Sequence, residues 1–90
     1  MTSKASFQLV VDKHFKEDLE DWSGIDQKVA GKILKLVEAI QAGPFKGIGK
    51  PEPLKSLGAW SRRITQEHRL VYRVDQGKVY LLQCRYHYGK

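Results

Sequence analysis

Apolar residues recur along this chain with two periods, one helical and one extended. Phe7, Leu9 and Val11 share one face of an extended segment, so a strand is predicted from Phe7 to Val11. Asp12 follows at the position of a helix N-cap. Phe15, Leu19 and Trp22 then recur at helical spacing, with Glu17, Asp18, Glu20 and Asp21 on much of the remaining surface. Ser23-Gly24 reads as the end of this helix. A second helix is predicted from about Asp26 to Ala42. Val29, Ile33, Leu36 and Ile40 form its main stripe, Ala30, Leu34 and Val37 widen it, and Gly43-Pro44 stops it. Pro44 to Pro53 is rich in Gly, Pro and Lys and reads as a loop. Gly47 and Gly49 lack the strand–turn–helix setting of a nucleotide fingerprint.

Beyond the loop the period changes to two. Pro53 to Leu57 is a short candidate strand that turns at Gly58. From Trp60 to Thr65, Trp60 and Ile64 face one way while Ser61, Arg63 and Thr65 face the other. Gln66-Glu67 is a turn. From Arg69 to Asp75, Leu70, Tyr72 and Val74 oppose Arg69, Val71 and Arg73. Asp75-Gln76-Gly77-Lys78 is a hairpin turn. Val79 to Tyr88 is the last strand, with Val79, Leu81, Gln83, Arg85 and His87 on one face. This order predicts an α+β fold: an N-terminal strand, then two helices packed on one face of an antiparallel β-sheet. The other sheet face is left open and carries alternate polar residues.

Ninety residues predict one domain spanning 1–90, with 1–6 as a short N-terminal extension. A hydrophobic fraction of 41% suits a small globular core and not a disordered chain. No apolar run approaches the roughly 20 residues of a membrane span. The stretch after the first residues is too short and interrupted for a signal-peptide core. The single Cys84 has no partner for an internal disulfide. A reduced, cytoplasmic protein without membrane contact is expected.

The net charge of +6 is unevenly placed. Residues 1–44 hold six Lys and seven acids; residues 45–90 hold five Lys, five Arg and three acids. A basic surface confined to one half favours a polyanionic partner, most often nucleic acid. In that half, one carboxylate, Glu52, sits between Pro51 and Pro53 and is surrounded by Lys50, Lys55, Arg62, Arg63 and Arg69. The chain closes with Cys84-Arg85-Tyr86-His87-Tyr88.

These residue types suit metal-independent RNA cleavage. The ribose 2′-hydroxyl is the nucleophile. A base must remove its proton, cations must stabilise the phosphorane, and an acid must protonate the leaving 5′ oxygen. Scattered His and a lone Cys give no metal-ligand spacing, and no cofactor is called for. Glu52 is the candidate base; the alternative is a loop carboxylate in a salt bridge. His87 is the candidate acid, because imidazole titrates near neutral pH; the alternative is an exposed histidine near the end of the chain. Arg69 and Arg63 are candidate phosphate clamps, or members of a solvated strand face. Lys50 and Lys55 are candidate contacts to flanking phosphates, the alternative being a purely solvated role, and Arg62 is an expected RNA contact. Tyr88 could stack on a base. Tyr86, Trp60 and Cys84 read as core, and His68 and His14 as structural or solvated.

Four ordered motifs carry a family resemblance. Gly49-Lys50-Pro51-Glu52-Pro53-Leu54-Lys55, Trp60-Ser61-Arg62-Arg63-Ile64-Thr65, Glu67-His68-Arg69-Leu70-Val71-Tyr72 and Cys84-Arg85-Tyr86-His87-Tyr88 closely resemble the YoeB (Txe) toxins of the RelE superfamily. The resemblance runs from about Phe7 to Tyr88. It implies a RelE-like microbial-RNase fold and a ribosome-dependent messenger-RNA interferase that cuts in the ribosomal A site and inhibits translation. It implies Glu52 as base, Arg69 aided by Arg63 on the phosphate, His87 and Tyr88 as acid and substrate contact, and Lys55 on a phosphate. The implied partners are a YefM-type antitoxin, a 70S-type ribosome and messenger RNA, with DNA reached only through the antitoxin; a homodimer is left open. A different class of reading is a binding module that blocks the ribosome without cutting. Glu52 separates the two, since a pure phosphate-binding face gains nothing from a central carboxylate.

Overall fold

The computed structural model describes residues 6–86. Its elements are β1 (Gln8–Val11), α1 (Lys13–Ile25), α2 (Gln27–Ala42), β2 (Glu52–Leu54), β3 (Ala59–Arg63), β4 (Arg69–Asp75) and β5 (Lys78–Gln83), with one 3-10 turn at Lys55–Leu57. The five strands form one sheet in the order β1-β5-β4-β3-β2. Strands β2 to β5 are antiparallel neighbours, as expected. The sheet is nevertheless mixed, which corrects the purely antiparallel expectation: β1 lies parallel to β5, with Gln8 opposite Lys78 and Val11 opposite Leu81. Two helices separate β1 from the rest of the sheet, and a crossover of that length lets a strand enter in either direction.

Asp12 caps α1 by accepting from the His14 amide at 2.8 Å. The helix does not stop at Ser23-Gly24, as the sequence suggests, but continues to Ile25. Ser23 Oγ donates to the Leu19 carbonyl at 3.1 Å, so its hydroxyl is satisfied within the helix. The break falls at Asp26. Its amide donates to the Trp22 carbonyl at 2.8 Å. Its carboxylate accepts from the Lys28 and Val29 amides at 3.1 and 3.4 Å. One residue thus ends α1 and caps α2.

The helices cover one sheet face. Phe15, Trp22, Ile33, Leu36 and Ile40 pack against Ile64, Leu70, Tyr72, Val79 and Leu81. Asp18, on the same side of α1 as Phe15 and Trp22, is also buried. Its carboxylate accepts from the Cys84 amide at 3.0 Å, while Trp22 Nε1 donates to the Cys84 carbonyl at 2.9 Å. Helix α1 therefore grips both backbone polar groups of Cys84.

That grip depends on a β-bulge. Tyr72 pairs with Leu81 but Val71 with Gln83, so Leu82 is an extra residue. Leu82 packs with Leu54, Ala59 and Val71 in a second, smaller cluster, and Cys84 joins Val79 and Leu81 in the main core. This corrects the single continuous face expected from Val79 through Gln83 and Arg85 to His87, because the phase changes at the bulge. At the other end of β5, Gln76 and Gly77 have φ of 51° and 79°, as a two-residue type I′ hairpin requires.

Arg62 is the largest fully buried side chain. Its Nε donates to Tyr72 Oη at 3.1 Å, Nη1 to the Ile48 carbonyl at 3.0 Å, and Nη2 to the Gly43 and Lys46 carbonyls at 2.8 and 2.9 Å. Tyr72 Oη donates onward to the Pro44 carbonyl at 2.6 Å. Gly43 is the C-cap of α2, a helix with no basic residue in its last turn. The cation that complements the negative helix end therefore comes from β3. Gly49 closes over the same side chain with φ of 85°, and a Cβ there would come within 2.8 Å of Leu36 and 3.1 Å of Arg62.

Two outcomes are expected. Arg62→Ala takes the donor from the Gly43, Lys46 and Ile48 carbonyls, leaves a cavity in the core and lowers the free energy of unfolding by about 3 kcal/mol or more, measured by urea titration. Burial, and secondarily the Asp18 carboxylate, push the Cys84 thiol up to about 12. The folded chain then keeps a proton that the unfolded chain loses near pH ~8.5, so the stability from this group is complete below that pH and lost above it. Relative to Cys84→Ala, the parent chain should lose up to about 1.4 kcal/mol per pH unit from about 8.5 up to the folded value of about 12.

Candidate active site

The candidate site lies on the sheet face away from the helices. Arg63 donates its amide to the Gly49 carbonyl at 2.8 Å, which lays the end of the 43–49 loop along β3. Strand β2 then pairs with β3 so that Glu52 stands opposite Ser61, and Ser61 opposite Val71 of β4. Arg69 begins β4 directly opposite Arg63. Alternation sends Glu52, Ser61, Arg63 and Arg69 to the same side.

The side chains meet there. Arg69 Nη1 lies 3.3 Å from Glu52 Oε1 and 3.2 Å from Ser61 Oγ. The Arg69 side chain is only 16% exposed, whereas that of Glu52 is 60% exposed. A fixed guanidinium therefore holds a carboxylate that still faces solvent and can accept a proton from a ligand. Ser61, fully buried beneath them, stands on the same face, as its alternation with Arg63 indicates, though the sequence assigned it no role. Arg63 is exposed. Two arginines directly opposite each other repel unless an anion lies between or beside them. Glu52 supplies one negative charge, and a phosphodiester would supply another.

Lys50 and Lys55 are exposed and flank β2 on either side of Glu52 in the chain. Lys55 opens the 3-10 turn after β2. Arg62, expected from the sequence to touch RNA, points instead into the core, where its donors are taken up by Tyr72 and by the loop carbonyls. It supports the site from behind. His87 and Tyr88 lie outside the described residues. The described chain reaches Tyr86, whose carbonyl accepts from the Arg69 amide at 3.2 Å. Among the described residues no group of His, Cys, Asp and Glu is arranged to hold a metal ion. No helix among them is long and apolar enough to cross a membrane.

The geometry makes one separation testable. The Glu52–Arg69 pair is half in solvent, so Glu52→Gln should change the free energy of unfolding by less than about 1 kcal/mol in urea titration. A larger loss would mean that the pair holds the fold together and is not poised for chemistry.

Residues 11–88 match a family described as the YoeB-like toxin of bacterial type II toxin–antitoxin systems. A protein named Toxin YoeB from Mycobacterium bovis is 53% identical over 74 residues, covering 80% of this chain and 87% of that one. The structure of a YoeB/ParE toxin from Agrobacterium tumefaciens is similar at a TM-score of 0.85 and 45% identity, over 90% of this chain and 99% of the other. The toxin in a YoeB–YefM complex from Staphylococcus aureus is similar at a TM-score of 0.79 and 40% identity, over 91% of this chain and 98% of the other.

Proposed function

The chain belongs to the YoeB-like toxins of bacterial type II toxin–antitoxin systems, and on that premise we propose that it is a metal-independent endoribonuclease that cuts messenger RNA in the ribosomal A site. The observation that carries this reading is the solvent-facing Glu52 carboxylate held 3.3 Å from Arg69 on the open sheet face. A surface built only to bind phosphate would place no anion there.

Glu52 takes the proton of the ribose 2′-hydroxyl as O2′ attacks phosphorus. A bond forms between O2′ and phosphorus, and the bond to the 5′ oxygen breaks. Arg69, with Arg63 across the strand pair, donates to the non-bridging oxygens as their charge grows. His87 gives the leaving 5′ oxygen its proton, leaving a 2′,3′-cyclic phosphate. Tyr88 contacts the substrate, and Lys50 and Lys55 hold neighbouring phosphates. Ser61 keeps Arg69 aimed at the carboxylate. The ribosome presents the messenger and helps to order this mutually repelling cluster of cations. A YefM-type antitoxin, the partner seen with the Staphylococcus aureus toxin, holds the chain inactive.

The test is cleavage of a defined messenger with and without 70S ribosomes, mapped by primer extension. One ribosome-dependent cut in the A-site codon, unaffected by chelator, is expected. Glu52→Gln and His87→Gln should retain ribosome binding and lose cleavage by about 10²-fold or more. Inhibition of translation without any cut would move the reading to a binding module. Equal loss of binding in both variants would remove the acid and base assignments.

A further inference from the structure

The open sheet face carries a second feature further along β4. Arg69, Val71 and Arg73 alternate onto that face, while Leu70, Tyr72 and Val74 turn to the core. On β5, Tyr80 faces the same way as Arg73, between the core residues Val79 and Leu81. Arg73 and Tyr80 are direct cross-strand partners. The Arg73 guanidinium carbon lies 4.1 Å from the centre of the Tyr80 ring, so cation and ring are in contact. Val10 of β1 pairs with Tyr80 on its other side, which places the ring within the sheet and not at its edge.

The arginine is seated on the ring but not used up by it. Its side chain is 42% exposed. Asp75 Oδ2 lies 3.8 Å from Nη1, beyond hydrogen-bond length, so that contact leaves the donors free to serve a ligand. With one face on the ring and the side chain this exposed, the guanidinium turns its other face to solvent. Splayed RNA bases stack on guanidinium planes as they do on aromatic rings. Arg73 follows Arg69 by four residues on one strand, about 13 Å along it. Between them Val71 packs with Leu54, Ala59 and Leu82, an apolar stretch that offers a phosphate no charge. An RNA strand whose scissile phosphate lies at Arg69 and Arg63 therefore meets Arg73 with a flanking nucleotide, not with the one being cut. Nothing in the acid–base assignment uses Arg73 or Tyr80.

We propose that Arg73, seated on Tyr80, is a stacking site for one base of the messenger that flanks the scissile nucleotide. This rests on the reading of RNA as the substrate of the same face.

The experiment uses a messenger on 70S ribosomes with a 2′-deoxynucleotide at the scissile position and 2-aminopurine placed in turn at each position around it. Stacking quenches the fluorescence of 2-aminopurine. Binding of the parent chain should quench it at a flanking position, and Arg73→Lys should lose that quenching. Lysine keeps the charge beside the ring and gives up the flat face. Arg73→Lys should also weaken binding to the programmed ribosome by about fivefold or more, with a melting temperature near that of the parent. Tyr80→Ala should lose the same quenching and Tyr80→Phe should restore it. If no position loses its quenching in Arg73→Lys, the proposal is overturned. That holds even where affinity falls, since the arginine then meets the ribosome and not the messenger. Cleavage of the all-ribose messenger separates this from the nuclease reading. A parent chain that shows the Arg73-dependent quenching without cutting keeps the stack and loses the nuclease; one that cuts without it loses the stack alone.

Discussion

A buried guanidinium anchors the site to the fold. Arg62 gives up water on all sides, and among the described residues no carboxylate compensates it; it is held by carbonyl dipoles and one phenol. Desolvating a cation this way is expensive unless its hydrogen bonds are well made. The same bonds satisfy carbonyls at the end of α2 and in the following loop that would otherwise be orphaned. Each side solves the other's problem, so removing either leaves an uncompensated group. Tyr72 is part of the same arrangement. Burial pushes its phenol upward in pKa and the Arg62 charge pulls it back, so it stays a neutral donor to Pro44.

The consequence for chemistry lies on the opposite side of the sheet. Because Arg62 draws the 43–49 loop onto β3, Gly49 can pair with Arg63 and β2 can add to the sheet edge. Glu52 then arrives opposite Ser61, within reach of Arg69. A three-residue edge strand that carries Pro53 and follows Pro51 has little stability of its own. Its position is borrowed from the buried arginine next door to Ser61 and Arg63. Adjacent residues of β3 thus do opposite work, one cation buried to build the scaffold and the next exposed on the open face.

Much of this was legible in the chain. The helical stripes of α1 and α2 and the alternation of β3 and β4 predict the helices, the strands and the face on which Arg63 and Arg69 stand. The burial of Arg62 was missed: it falls between Trp60 and Ile64 on the apolar face, but its charge argues for the surface until its partners, distant in sequence, are known. Asp18 carries the same lesson, three residues after Phe15 and four before Trp22. The parallel entry of β1 and the bulge at Leu82 leave no local signal. Strand direction is set by the crossover, and the bulge by the demands of Cys84 on α1. Proximity of Glu52 to Arg69 came from motif order; the register that produces it came from the fold.

On the reading proposed above, this open face activates the substrate's own 2′-hydroxyl. The most direct measurement is single-turnover cleavage of a ribosome-bound messenger carrying one 2′-deoxynucleotide at the scissile position. The deoxy messenger should bind as well as its ribose counterpart and not be cut there, and the ribose messenger should yield a 2′,3′-cyclic phosphate. Cleavage of the deoxy position at an undiminished rate would contradict it, because the nucleophile would then come from elsewhere and Glu52 would have no proton to take from the ribose.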